Sequence, residues 1–145
     1  MNFAPYCVED LGTLELAIVS PETTLIDCAK KMHDLRVSSL IVASTSDGSA
    51  GPWLPQGILT DRDIVLEAVA FSLDPGVITA GDIMTCPLVT ARLDEALQVV
   101  HERMQFSEIT SIVIVDAQGA LVGMLEADRV SSVLRARGSG TGPQA

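Results

Sequence analysis

The sequence predicts an α+β sandwich in which one strand–helix–strand–strand–helix unit occurs twice, packed with pseudo-two-fold symmetry. The chain matches itself at an offset of 72 residues. Leu25, Cys28, Met32, Val37, Leu40 and Ile41 fall on Leu97, Val100, Met104, Ile109, Ile112 and Val113. Further on the offset drops to 66, and Gly57-Ile58-Leu59 falls on Gly123-Met124-Leu125, so an enlarged loop is expected between Ser44 and Gln56. Composition agrees: 145 residues, 48% hydrophobic but only 3% aromatic, make an aliphatic core within one compact domain. Two like halves in so short a chain share an interface, and such interfaces form clefts that hold ligands.

Each element follows from local spacing. Ala17-Ile18-Val19-Ser20-Pro21 reads as a short extended lead-in ended by proline. Glu22-Thr23-Thr24 starts a helix whose apolar residues Leu25, Cys28, Ala29, Met32 and Leu35 recur at helical spacing. Leu40-Ile41-Val42-Ala43 is a short apolar strand, Gly57-Ile58-Leu59 a second one, and a helix from Asp61 to Ala70 closes the unit through Ile64, Val65 and Ala68. Ser72-Leu73-Asp74-Pro75-Gly76 is the linker. In the second half Leu88-Val89-Thr90 leads in, and a helix spans Leu93 to Phe106. Strand Ile112–Val115, turn Asp116–Gly119 and return strand Ala120–Leu125 follow, with a final helix from about Asp128 to Arg135. The boundaries are 8–70 for the first repeat, 71–80 for the linker, 81–137 for the second repeat and 138–145 for a tail with nothing to bury, expected to be disordered.

Charge and cysteine usage exclude several roles. A net charge of −10 repels a phosphate backbone, so nucleic-acid binding is not expected. No apolar run reaches the length of a membrane span, and Met1–Pro5 lacks the basic end and apolar stretch of a secretory signal. Cys7, Cys28 and Cys86 are odd in number and widely spaced, which fits reduced thiols and a cytoplasmic location. Cys28, Met32, Met104 and Met124 fall on core-facing positions and read as packing. His33 and His101 have no acid or nucleophile placed to act with them, and no metal-ligand spacing exists, so neither an enzyme nor a metal site is expected.

Three stretches carry a family resemblance. Ile18-Val19-Ser20-Pro21-Glu22-Thr23-Thr24-Leu25 resembles the opening of a CBS repeat, Gly57-Ile58-Leu59-Thr60-Asp61-Arg62-Asp63-Ile64 its Gly-h-h-Ser/Thr-x-x-Asp signature, and Gly81-Asp82-Ile83-Met84-Thr85 the segment that precedes a repeat. Over roughly Val8 to Arg137 the chain is thus similar to a tandem CBS pair, a Bateman module, in stand-alone form. The resemblance implies clefts that bind adenine nucleotides or adenosyl ligands, pairing into homodimers, and regulation of a partner protein rather than catalysis. AMP is the favoured ligand, and ATP, ADP, NAD and S-adenosylmethionine also fit.

Thr60 and Asp63 carry the site chemistry. A carboxylate accepts two hydrogen bonds from a ribose cis-diol, and a helix N-terminus suits a phosphate. The same Thr-x-x-acid spacing is also a helix-capping arrangement, and both readings stand on spacing alone. Ile18, Val19, Pro21 and Ile58 are the expected walls for adenine, each with a core-packing alternative, and Gly57 belongs to the same stretch. Ser38-Ser39 and Thr110-Ser111 stand where family members that hold phosphates often carry Arg or Lys. Arg62 is the best substitute cation; His33 and Arg36 are others, and His101 and Arg103 read as a solvated helix face. A triphosphate therefore fits less well than a monophosphate or a neutral adenosyl compound. In the second half Glu126 replaces Thr60 and Arg129 replaces Asp63, so one competent and one degenerate cleft are expected, the latter open to filling by a Glu126–Arg129 pair. Trp53 either stacks on a base, anchors a dimer or pins its own loop.

Overall fold

The computed structural model of the chain describes residues 6–11, 16–48, 51–86 and 88–141, with side chains in the last helix to residue 136. Two compact units form, one built on Leu16–Leu88, the other on Val89–Gln118 and the chain from Val122 together with the N-terminal segment. In the first, β1 (Ile18–Val19) lies parallel to β2 (Ser39–Thr45), with Ile18 opposite Ile41 and Val19 opposite Val42. Parallel neighbours require a crossover, and α1 (Leu25–Leu35) supplies it. β3 (Trp53–Thr60) returns antiparallel to β2 and runs directly into α2 (Asp61–Ile64), which continues as a π turn at Val65–Val69. α3 (Ala80–Ile83) completes the unit.

Capping explains the limits of α1. Thr24 accepts the Asp27 N–H on its side chain, and Arg36, in the left-handed region, lets the Val37 N–H return to the Met32 carbonyl. Leu25, Cys28 and Met32 pack with Val19, Leu40, Val42, Leu59 and Ala68 in one cluster, while Ala29 and Leu35, expected on the same face, are exposed. Burial pushes the Cys28 thiol up to about 11, which suits packing rather than attack as a thiolate.

The insertion is less of a loop than expected. Thr45 pairs with Trp53, Ser44 with Leu54 and Ala43 with Pro55, so part of it lengthens the β2–β3 hairpin. The register shifts between Val42 and Ala43, where Gln56 is the extra residue of a bulge. Trp53 is therefore a half-buried strand residue.

The second unit repeats the order. β4 (Thr90–Arg92) is parallel to β5 (Ser111–Val115), α4 (Leu97–Ser107) crosses between them, β6 (Leu121–Glu126) lies on the other side of β5, and α5 (Ala127–Thr141) follows. Leu97, Val100 and Met104 pack with Val8, Ala91, Ile112, Ile114, Leu125 and Val130. α5 passes the expected end at Arg135, so residues 138–141, expected to be disordered, are helical: a nucleated helix adds one backbone bond for each residue it is extended by. Residues 142–145 of that tail lie outside the described residues.

Two further features depart from expectation. The unpaired N–H at the start of each crossover helix is satisfied by a segment outside the repeated elements: Leu25 donates to the Ile78 carbonyl, and Leu97 to the Tyr6 carbonyl. Each of these segments is braced alike, the Thr79 N–H by Asp82 and the Cys7 N–H by Asp10, and the second unit draws its segment from the N-terminal end of the chain. Arg103 and His101 are not a solvated face. Arg103 donates to the Thr90 carbonyl at 3.0 Å and pairs with Glu95, and His101 Nε2 lies 3.1 Å from Ser131 Oγ, tying α4 to α5. Lys31, at the place matching Arg103, donates to the Ile18 carbonyl at 2.6 Å. The long basic side chains therefore hold the lead-in strands, because a two- or three-residue strand leaves carbonyls to satisfy.

Candidate functional site

β3 delivers Thr60 to the start of α2, opposite Ser39 of β2. Thr60 is extended and caps the helix reciprocally: its Oγ1 accepts the Asp63 N–H at 3.1 Å, and Asp63 Oδ2 accepts the Thr60 N–H at 2.9 Å. The capping alternative is thus realised. It does not exhaust the carboxylate, which has about four lone-pair sites when ionised. Among the described residues Oδ1 has no partner, and Asp63 is half-buried. Held by the cap, that oxygen is a fixed acceptor of the kind a diol uses.

The sheet register sorts the expected walls. Ile18, Ile41 and Ile58 form one cross-strand row, and Val19, Val42 and Gly57 form the next. Successive rows face opposite sides. Val19 is 6% exposed and packs in the core, whereas Ile18 and Ile58 share the other face. Gly57 is a close-approach glycine: a Cβ there would stand 2.8 Å from Met84 Sδ and 2.9 Å from the Thr85 carbonyl oxygen. Ile58 and Thr85 bond each other's backbones in both directions, at 2.8 and 3.3 Å, so Ile58 offers a side chain but no free peptide group. Pro21 packs on α3, its carbonyl accepting the Gly81 N–H at 2.8 Å. Arg62 is exposed, with no hydrogen bond among the described residues. Trp53 lies seven residues up β3 from Thr60, about 20 Å along the strand, and is not brought to this junction.

At the matching junction of the second unit, Ser111 Oγ donates to Glu126 Oε2 at 2.6 Å and Arg129 donates to the Leu11 carbonyl at 3.0 Å. The alternative of a Glu126–Arg129 pair is not realised, because each side chain has another partner. Both junctions keep one backbone bond, Asp61 N–H to the Ser38 carbonyl at 3.0 Å and Ala127 N–H to the Thr110 carbonyl at 2.8 Å. Sequence reasoning missed Ser38 as the anchor of this turn and Met84-Thr85 as its cover. The Gly81–Thr85 motif was visible, but its return to β3 is a tertiary pairing. Among the described residues no three His, Cys, Asp or Glu side chains converge as a metal site needs, and no helix is long and apolar enough to cross a membrane.

Comparison with known proteins places this geometry. The CBS domain family matches residues 8–70 and 80–136. An uncharacterized protein of Methanopyrus kandleri is 29% identical over 118 residues, covering 81% of this chain and 57% of that protein. The CBS domain-containing protein YhcV of Bacillus subtilis is 30% identical over 118 residues, 81% of this chain and 78% of its own. The CBS domain protein PAE2072 of Pyrobaculum aerophilum, solved in complex with AMP, superposes with a TM-score of 0.73 at 27% identity, covering 86% of this chain and 88% of that one. The chain spans from 19% to 57% of the length of the first curated relatives it matches. With both repeats matched and each built on the same three-stranded sheet, the chain belongs to the CBS domain family as a tandem pair.

Proposed function

We propose that the first repeat binds an adenine nucleotide or other adenosyl compound, with Asp63 Oδ1 gripping the ribose, and that occupancy is read by a partner protein. The observation that carries this reading is the capping box, which holds the carboxylate rigid while leaving an acceptor open. The AMP complex of the Pyrobaculum aerophilum relative supports the ligand class. Ile18 and Ile58, on either side of Ile41 in one row of a sheet face, supply apolar surface for a base. Association as a homodimer belongs to the same reading. It is supported by exposed Val65, Val69 and Phe71 around α2, and by Phe106 on α4, since large apolar side chains in water favour burial against a second copy.

Calorimetric titration of the purified chain with adenosyl compounds tests the site. Asp63→Asn keeps an acceptor for the Thr60 N–H but removes the charge. We expect it to weaken binding about 10- to 100-fold, as losing hydrogen bonds to a charged group does. Asp63→Ala should weaken binding similarly and also destabilise the fold by about 1 kcal/mol through the lost cap. Unchanged affinity in both variants removes Asp63 from the site. A ligand-free structural dimer is the second reading, favoured by the same exposed apolar residues; a thermal midpoint unmoved by every adenosyl compound selects it.

A further inference from the structure

Building on the adenosyl reading of Asp63, we propose that this site selects adenosyl compounds lacking phosphate, such as adenosine or S-adenosylmethionine, over adenine nucleotides. A phosphate at a strand–helix turn is held by free backbone N–H groups or by cations. Here the N–H groups already have acceptors within the protein. The Thr60 N–H goes to Asp63 Oδ2, the Asp61 N–H to the Ser38 carbonyl, and the Asp63 N–H to Thr60 Oγ1. Of the four from Thr60 to Asp63, at most that of Arg62 remains. Ile58, two residues earlier on β3, gives its N–H to Thr85.

Charge points the same way. Asp61 and Asp63 put two carboxylates in the turn against the single guanidinium of Arg62, which is exposed. Ser38, whose carbonyl anchors the turn, is exposed and carries no charge, and Lys31 is held at the Ile18 carbonyl. Arg36 is the remaining nearby cation in sequence, exposed at the end of α1. An added phosphate would meet two carboxylates with no fixed cation to offset them, and with only neutral donors such as the Thr60 hydroxyl and the Arg62 N–H to bond it. A neutral or sulfonium-bearing adenosyl group keeps the diol that Asp63 accepts from, and a positive charge suits the same carboxylates.

Calorimetry with adenosine, S-adenosylmethionine, AMP and ATP, on the full chain and on Ser38→Arg and Arg36→Ala, tests the proposal. Adenosine and S-adenosylmethionine should bind at least about tenfold more tightly than AMP or ATP. Ser38→Arg, on an exposed position, should raise AMP and ATP affinity by about fivefold or more and leave adenosine unchanged, since it adds only the missing cation. Arg36→Ala should change none of the four. AMP or ATP binding as tightly as adenosine overturns the selectivity while leaving the ribose assignment intact, and loss of AMP binding in Arg36→Ala identifies the cation responsible. Failure of all four compounds to bind, or binding indifferent to Asp63→Asn, overturns the ribose assignment and the selectivity with it.

Discussion

The two strand–helix junctions descend from one repeated pattern yet present different chemistry. At the first, Thr60 and Asp63 satisfy each other and leave a carboxylate oxygen open. At the second, Glu126 is bonded to Ser111 and Arg129 to the Leu11 carbonyl, so both side chains at the matching positions serve the fold. Several features around the junctions are nonetheless shared. A basic side chain of the crossover helix holds the lead-in strand in both units, Lys31 on Ile18 and Arg103 on Thr90. The helices end alike, with Arg36 and Glu108 in the left-handed region and the next N–H returned to Met32 or Met104. The lesson is a division of labour within the copies: backbone satisfaction is common to both because each fold needs it, while an open carboxylate acceptor is found at the first junction.

The strongest way to break that comparison is to rebuild the second junction. The double variant Glu126→Thr with Arg129→Asp recreates the Thr-x-x-Asp spacing, and should raise the titrated stoichiometry from one adenosyl ligand per chain to two. The price is the Ser111 and Leu11 bonds, about 1–3 kcal/mol together. Stoichiometry unchanged in a folded double variant would mean that the open carboxylate is not what distinguishes the two copies.

A smaller effect sharpens the contrast in how the lead-in strands are held. Glu95 sits between Arg103 and the Arg92 N–H, and the hydrogen bond from Arg103 holds its carboxyl below the usual carboxylate range; Lys31 has no such acid among the described residues. A depressed folded pKa gives stability that is full above the unfolded value and lost as pH falls through the folded value. Acid titration below the ordinary glutamate pKa of 4.5 should therefore weaken the second unit, by about 1 kcal/mol for this half-buried pair. Denaturant midpoints measured against pH should flatten in Glu95→Gln; an equal acid dependence in that variant removes Glu95 as the cause.

The smallest effect concerns helix entry. Thr24 caps α1 with its side chain, whereas Ala96 at the matching position of α4 has none to offer. Ala96→Ser should stabilise the chain by about 0.5–1 kcal/mol, read as a rise in the urea midpoint. No rise would mean that the Tyr6 carbonyl on the Leu97 N–H already supplies what that helix start needs.

Much of this architecture was legible from one-dimensional pattern. Leu25, Cys28 and Met32, and their counterparts Leu97, Val100 and Met104, reveal helical faces because the 3.6-residue period is written into spacing. Thr60 and Asp63 were legible as a cap for the same reason, since a capping box spans only four residues. The difference between the two junctions was readable from identity alone, because Arg cannot accept a hydrogen bond. Side-chain direction across the sheet was not. Val19 and Ile18 are adjacent in sequence, and only pairing with β2 decides that one enters the core while the other shares a face with Ile58. Likewise Gly57 shows its purpose only when Met84 and Thr85 return to β3, and Arg103 reads as solvated until the Thr90 carbonyl is seen beside it. Local periodicity and capping are properties of consecutive residues, so the sequence by itself determined the duplicated elements and the carboxylate. Contacts between residues far apart depend on how the chain returns, so only the tertiary structure decided which donors remain free at the turn.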